Sequence, residues 1–305
     1  MFPKNLTAFT LPAIKLDAQE LNDKLRECAL KPIGATQLQN SGFVSPFGRG
    51  SDQFAHQINN VIWLTLGVQS RNIPPGALDE KVDEKISQIE ESSGGRIGSR
   101  ARRKIKEDVM LEMLPHAFVT STRTNAFIDT ELGLIFVDTA SRKTAEQLIS
   151  ELRHALGSLA ALPIHPGVSP GNVLTGWISG KPMPDVLVMG EEAELADPIE
   201  KGPVAKLQRH DLRSDEVDTH LSAGKRVTRL GLIFDGKLDF VLGDDLVLRK
   251  VKFLDAALEP LEEQEHDGVA AELDARFAIV AGELRRAWPV LAEKFEVNRA
   301  AQVSF

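Results

Sequence analysis

Basic side chains with no catalytic partner are the groups in this sequence best placed to do chemistry. Lys206, Arg209, Arg213, Lys225, Arg226, Arg229, Lys237, Arg249, Lys250 and Lys252 all fall between Pro203 and Leu254. Arg96, Arg100, Arg102, Arg103, Lys104 and Lys106 form a second group, with no acid between Arg96 and Lys106. Guanidinium and ammonium groups gathered in this way bind anions, phosphate oxygens above all, through charge-assisted hydrogen bonds. Such contacts position a protein on a polyanion and carry no sequence information. Arg209, Lys225, Arg226 and Arg229 flank one predicted helix; Arg96, Arg100 and Arg103 share one face of another, with Lys106 and Arg102 beside them. A competing reading pairs the second group with Asp79, Glu80, Asp83 and Glu84 of the preceding helix.

Motifs for catalysis are missing. Gly224-Lys225 lacks both the earlier glycine and the following Ser or Thr of a phosphate-binding loop. Gly48-Arg49-Gly50 resembles a phosphate-binding turn but has no strong strand before it and no third glycine. His56, His116, His154, His165, His210, His220 and His266 are scattered and read as packing or surface residues. A single cysteine, Cys28, excludes a cysteine-rich zinc site, and no Gly-x-Ser-x-Gly elbow occurs. The expectation is therefore no catalytic residue, no metal and no cofactor. A helix-turn-helix or zinc finger that would read base edges is equally absent. Protein-binding scaffold and unrecognised hydrolase or nuclease are the rival classes.

The elements that must position the first basic group are legible. Residues 204–208 alternate as a strand, and Ser214 reads as an N-cap with Asp215 and Glu216 in the first turn, where the helix dipole favours anions. Gly224 fits the left-handed stop after that helix. Strands are expected over 227–234, 237–242 and 246–254, with Asp235-Gly236 as the strongest hairpin signal. Acids gather on the helix and turns and bases on or beside the strands, so a cationic face on a small sheet is expected.

Elsewhere, a strand is expected over 5–11, a helix from Asp17 to about Cys28, an irregular loop over 31–52 and a strand over 61–68. Leu78, Val82, Ile86 and Ile89 stripe one charged helix, and Ile105, Val109 and Met113 stripe a second from about Ser99 to Leu114. Ser92-Ser93-Gly94-Gly95 separates them, which predicts an antiparallel helical hairpin. Strands over 122–130 and 134–138 and a helix over 141–156 follow. The Pro- and Gly-rich residues 163–171 read as a linker, 185–189 as a strand and 191–200 as an acidic run. Val269, Leu273, Phe277, Val280, Leu284, Trp288, Leu291 and Phe295 form a long helical stripe that Pro289 is expected to kink. Expected parts are 1–73 with 116–165 as a centre, 74–115 as a hairpin and 166–305 as a base.

With 42% hydrophobic and 26% charged residues among 305, the composition is that of an ordinary soluble protein. One cysteine, no apolar run behind Met1 and no long apolar window predict a cytoplasmic location with no membrane partner. The net charge of −8 is misleading. Asp255, Glu259, Glu262, Glu263, Glu265, Asp267, Glu272 and Asp274 stand between Phe253 and Ala275 without a Lys or Arg, so the remainder sums to zero. Local charge decides what the protein can bind.

Five collinear blocks carry a family likeness: KNLTAFTL at 4–11, LPHAF at 114–118, FIDTELGLIFVDTAS at 127–141, ELRHALGSLAALPI at 151–164 and the segment 211–230 with SAGKRVTRL. In order and over essentially the whole chain, they resemble the RdgC family of bacterial recombination-associated proteins. The resemblance implies an α+β, horseshoe-shaped monomer with antiparallel sheets, a helical hairpin as its tip and a long C-terminal helix. It implies a ring-shaped homodimer around double-stranded DNA, with single-stranded DNA a second form, that restrains the RecA recombinase in the nucleoid and is no enzyme. By position, Phe118 matches the apolar residue of an openable dimer contact, and Arg209 and Lys225 match basic residues important for DNA binding. His210 departs from the pattern, standing where a neutral amide is expected.

Overall fold

The computed structural model describes residues 2–12, 16–199, 202–262 and 268–297. His266, and Glu263, Glu265 and Asp267 of the acidic run, lie outside the described residues. Strand β1 (Thr7–Thr10) leads to helix α1 (Ala18–Glu27), then β2 (Gln39–Val44), β3 (Ala55–Ile58) and β4 (Val61–Asn72). Helices α2 (Pro75–Ser93) and α3 (Ser99–Met113) precede β5 (Phe118–Asp129), β6 (Leu134–Val137), α4 (Arg142–Leu156) and β7 (Leu162–Pro163). Then come α5 (Pro170–Ile178), β8 (Leu187–Ala196), β9 (Ala205–Gln208) and α6 (Asp215–Ser222). The chain continues through β10 (Arg226–Phe234), β11 (Leu238–Gly243), β12 (Leu248–Phe253), α7 (Asp255–Glu262) and α8 (Gly268–Lys294). The fold is α+β with antiparallel sheets.

The chain divides into two compact units, one of Met1–Glu27, Ser45–Thr65 and Thr124–Phe305 and the other of Cys28–Val44 and Leu66–Arg123. In the larger unit β1 lies antiparallel between β6 and β7, β5 pairs β6, and β3 folds onto β4 as a hairpin. A second sheet has the order β12-β11-β10-β8-β9. Leu6 and Leu248 exchange backbone hydrogen bonds of 2.7 and 3.0 Å at the edge of β12. Helix α8 closes this core. Phe277 sets its ring 5.6 Å from Trp63 and 6.0 Å from Phe127, and Trp288 packs edge-on to Phe136 at 5.3 Å.

Two expectations are corrected, one in each unit. Val269, at the start of helix α8, is 70% exposed, so the expected apolar stripe faces the core only from Leu273 onward. Residues 31–52 also contain a strand, β2. Its Gly42 serves close approach rather than a loop, since a Cβ there would sit 2.5 Å from Leu30 Cα. Phe43 takes and gives backbone hydrogen bonds of 2.9 Å with Leu30 and Cys28 across that approach.

In the smaller unit β2, β4 and β5 are neighbours in that order. Its helical hairpin buries Val82, Ile86 and Val109, flanked by Leu78, Ile97, Ile105 and Met113. Gly94, at φ 66°, caps α2 in the left-handed conformation.

In the larger unit, Asp138 Oδ1 accepts from the N–H groups of Lys4 at 2.9 Å and Asn5 at 3.1 Å. Burial still pushes its carboxyl above the usual aspartate range, against those hydrogen bonds. A raised carboxylate pKa means stability that is present below the unfolded value and lost as pH rises through the folded one. Asp138→Asn keeps the acceptor oxygen and is expected to stabilise the protein at pH 7, by less than about 1 kcal/mol. In paired thermal melts the gain should vanish once pH falls below the ordinary value of 3.8, where both proteins are neutral at this position.

Candidate nucleic-acid interface

The first basic group lies in the larger unit, around α6. Leaving β9, the chain turns at Arg209 with φ 52°, a left-handed conformation that a long side chain adopts only under constraint. Arg209 and Arg213 are exposed, and neither side chain has a partner among the described residues. His210 sits between them, its Nδ1 2.9 Å from the Asp211 carbonyl and its Nε2 3.2 Å from Glu216. Asp215, Glu216 and Asp218 occupy the first turn of α6, as the helix dipole favours. Ser214 precedes that turn in extended backbone, but its hydroxyl accepts no hydrogen bond there, so the expected side-chain cap is absent. After Gly224 at φ 90°, Lys225 Nζ donates to His220 Nδ1 at 3.3 Å and Arg226 Nη1 donates to Asn172 at 2.6 Å. Both cations therefore hold neutral partners.

The strands present a different picture, and the expected cationic face is a mixed one. Glu192 and Glu194 of β8 interleave with the bases. Arg229 Nη1 lies 3.2 Å and Lys206 Nζ 3.5 Å from Glu194, and Lys250 pairs with Glu192. Arg249 forks onto Asp245 at 2.8 and 2.5 Å. Burial would raise the Asp245 carboxyl, but Arg249's hydrogen bonds and charge overturn it and hold it low. The same hydrogen bonds raise Arg249, whereas burial and the neighbouring Asp245 raise Asp244. The sequence alone suggests a strand ending at Met189 followed by an acidic run. Because β8 runs on to Ala196, those acids become cross-strand partners. Alternation of Glu192, Glu194 and Ala196 with buried Ala193 and Leu195 was the available signal.

The second basic group lies on α3 in the smaller unit. Arg100, Arg102 and Lys104 are exposed, with no side-chain partner among the described residues. Arg103 pairs with Glu107 of its own helix at 3.2 Å, and Lys106 with Asp79 of α2 at 2.7 Å. Internal pairing with α2 thus accounts for Lys106 but not for Arg100 or Arg103. Phe118, first in β5, is 87% exposed and belongs to no core. Arg71 was missed by sequence reasoning. Its Nη1 donates to the carbonyls of Leu114 at 2.9 Å and Ala117 at 3.2 Å and so braces the residues leading to Phe118. A lone arginine inside a strand carries no sequence signal of such a clamp.

Among the described residues, no three His, Cys, Asp or Glu side chains are grouped to hold a metal ion. None of the described helices is long and apolar enough to cross a membrane. Residues 1–298 match the model of a family described as "Putative exonuclease, RdgC". A "Recombination-associated protein RdgC" of Xanthomonas campestris pv. campestris (strain B100) is 47% identical over 98% of this chain and 99% of its own length. Relatives of the same name from Xanthomonas axonopodis pv. citri (strain 306) and Stenotrophomonas maltophilia (strain R551-3) are each 46% identical over 98% of this chain and 100% of theirs.

Proposed function

The chain belongs to the RdgC family of recombination-associated proteins, and on that premise we propose that it binds DNA without sequence preference and without cleaving it. It closes as a homodimer around duplex DNA in the nucleoid and restrains a RecA-type recombinase. The observation that carries this reading is the set of cations Arg209 and Arg226, exposed, and Lys225, half-buried, none of which is neutralised by a carboxylate among the described residues. The family description favours a second reading, an exonuclease. Titrating unlabelled duplexes of random sequence at two salt concentrations, then incubating linear DNA with protein and Mg²⁺, separates the two. Salt-sensitive binding with intact DNA supports the first reading, and progressive shortening from the ends overturns it.

Two variants, one triple and one single, test the parts of this reading. Changing Arg100, Arg103 and Lys106 together to Ala is expected to weaken DNA binding and leave the dimer intact. The loss of the exposed Arg103 and Lys106 pairs should move stability by no more than about 1 kcal/mol. Unchanged affinity would remove α3 from the interface. Phe118→Ser is expected to shift the melting temperature little, because exposed substitutions usually stay within about 0.5 kcal/mol. As an interface anchor its loss should loosen the dimer, since buried aromatics at interface centres often dominate. Sedimentation should then show more monomer, and binding to closed circular DNA should become faster.

A further inference from the structure

The geometry around Arg209 points to a pocket for a single unstacked nucleotide, which rests on the DNA-binding reading above and narrows its substrate. A cleft of about 470 Å³ lies between β8 and the chain leaving β9, within the size range of small-ligand sites. Its first wall is a bulge. Between the pairs Leu230–Ala193 and Leu232–Met189, three residues of β8 stand opposite Gly231 alone. Two glycines allow this. A Cβ on Gly190 would lie 3.2 Å from the Gly231 carbonyl carbon, and one on Gly231 would lie 3.2 Å from Glu192 O. A bulge bends its strand and re-aims side chains. Just before it, Val188, second in β8, is 57% exposed, with Met189 half-buried beside it.

The second wall supplies charge. Arg209 and Arg213 line it with unpartnered guanidinium groups, and the His210 N–H, donating to Glu191 O at 3.2 Å, ties the two walls together. Glu191 and Asp211 line the same cleft, so it is not a plain phosphate trap. A nucleotide fits this mixture term by term. The apolar, polarisable surface of Val188 and Met189 meets the flat face of a base. The two arginines meet the flanking phosphates. The carboxylates accept from exocyclic amino groups, as acids do from cytosine. In a duplex those faces are stacked and those edges paired, so only an unpaired base can enter.

The test compares a fully paired duplex with the same duplex carrying one central mismatch, with 2-aminopurine beside the mismatch, at one salt concentration. Full-length protein is expected to bind the mismatched duplex about tenfold tighter, because the base is already partly released, and to raise the 2-aminopurine fluorescence as the base unstacks. Val188→Gln, a neutral change at an exposed position, should erase the preference and the fluorescence rise while leaving binding to paired duplex unchanged. Equal affinity for the two duplexes, with paired binding intact, overturns the pocket and spares the DNA-binding reading. Failure to bind either duplex overturns the DNA-binding reading itself.

Discussion

Arg209→Glu combined with Lys225→Glu is expected to lower affinity for duplex DNA of any sequence by about a hundredfold. A charge-assisted contact contributes about 1.5–3 kcal/mol, and two such losses at the lower end come to about 3 kcal/mol, or roughly two powers of ten. Each lost phosphate contact should also take about 0.9 from the magnitude of the slope of log K against log salt, so the slope should fall by about 2. The fold should survive. Arg209 has no side-chain partner to lose among the described residues, and Lys225 gives up one 3.3 Å hydrogen bond to His220. An unchanged slope in a protein still folded by circular dichroism would falsify the assignment of this surface to DNA. Arg229→Glu makes a useful control, because its charge is already matched by Glu194 at 3.2 Å. It should change DNA binding much less.

Phe277→Ala is expected to cost about 3–5 kcal/mol, the largest stability effect of the substitutions considered. The Phe277 ring is fully buried, and its neighbours, His56 at 5.7 Å and Trp63 and Phe127, come from three strands. A rigid aromatic cage of this kind cannot collapse into the space an alanine leaves. The melting temperature should fall by roughly 10 °C or more. DNA binding should be lost only in step with the folded fraction, which distinguishes this change from the charge reversals. A loss below about 1 kcal/mol would mean that α8 does not close the core.

Legibility in the sequence followed how local the determining physics is. Helix α4 matches the span expected at 141–156, and Ser141 caps it, its hydroxyl accepting from Thr144 N at 3.3 Å. The Asp235-Gly236 turn appears with φ 48° and 64°, as two consecutive left-handed residues require. The helical hairpin with its Gly94 stop was equally plain. What could not be read depends on partners distant in sequence. Gly42 looks like a loop residue until Leu30 is seen against it. Glu192 and Glu194 look like a solvated acidic run until β10 and β12 bring Arg229 and Lys250 to them. The basic residues themselves were legible as types. Which of them remain unneutralised was not, because ion pairing is decided across strands and helices rather than along them.

The backbone exchange between Leu6 and Leu248 has a consequence for synthesis. At roughly 5–20 residues per second, a ribosome needs roughly 12–50 s to travel from one to the other. The smaller unit has all its residues by Arg123 and can fold meanwhile. Strand β1 can pair with β6 and β7 once residue 163 is made, but the Leu6 backbone groups, and the apolar faces of β3, β5 and β6 that Phe277 and Trp288 later cover, must wait in the open. Nascent chains of this protein should therefore be long-lived clients of ribosome-bound chaperones, and the last turns of α8 should set when they are released.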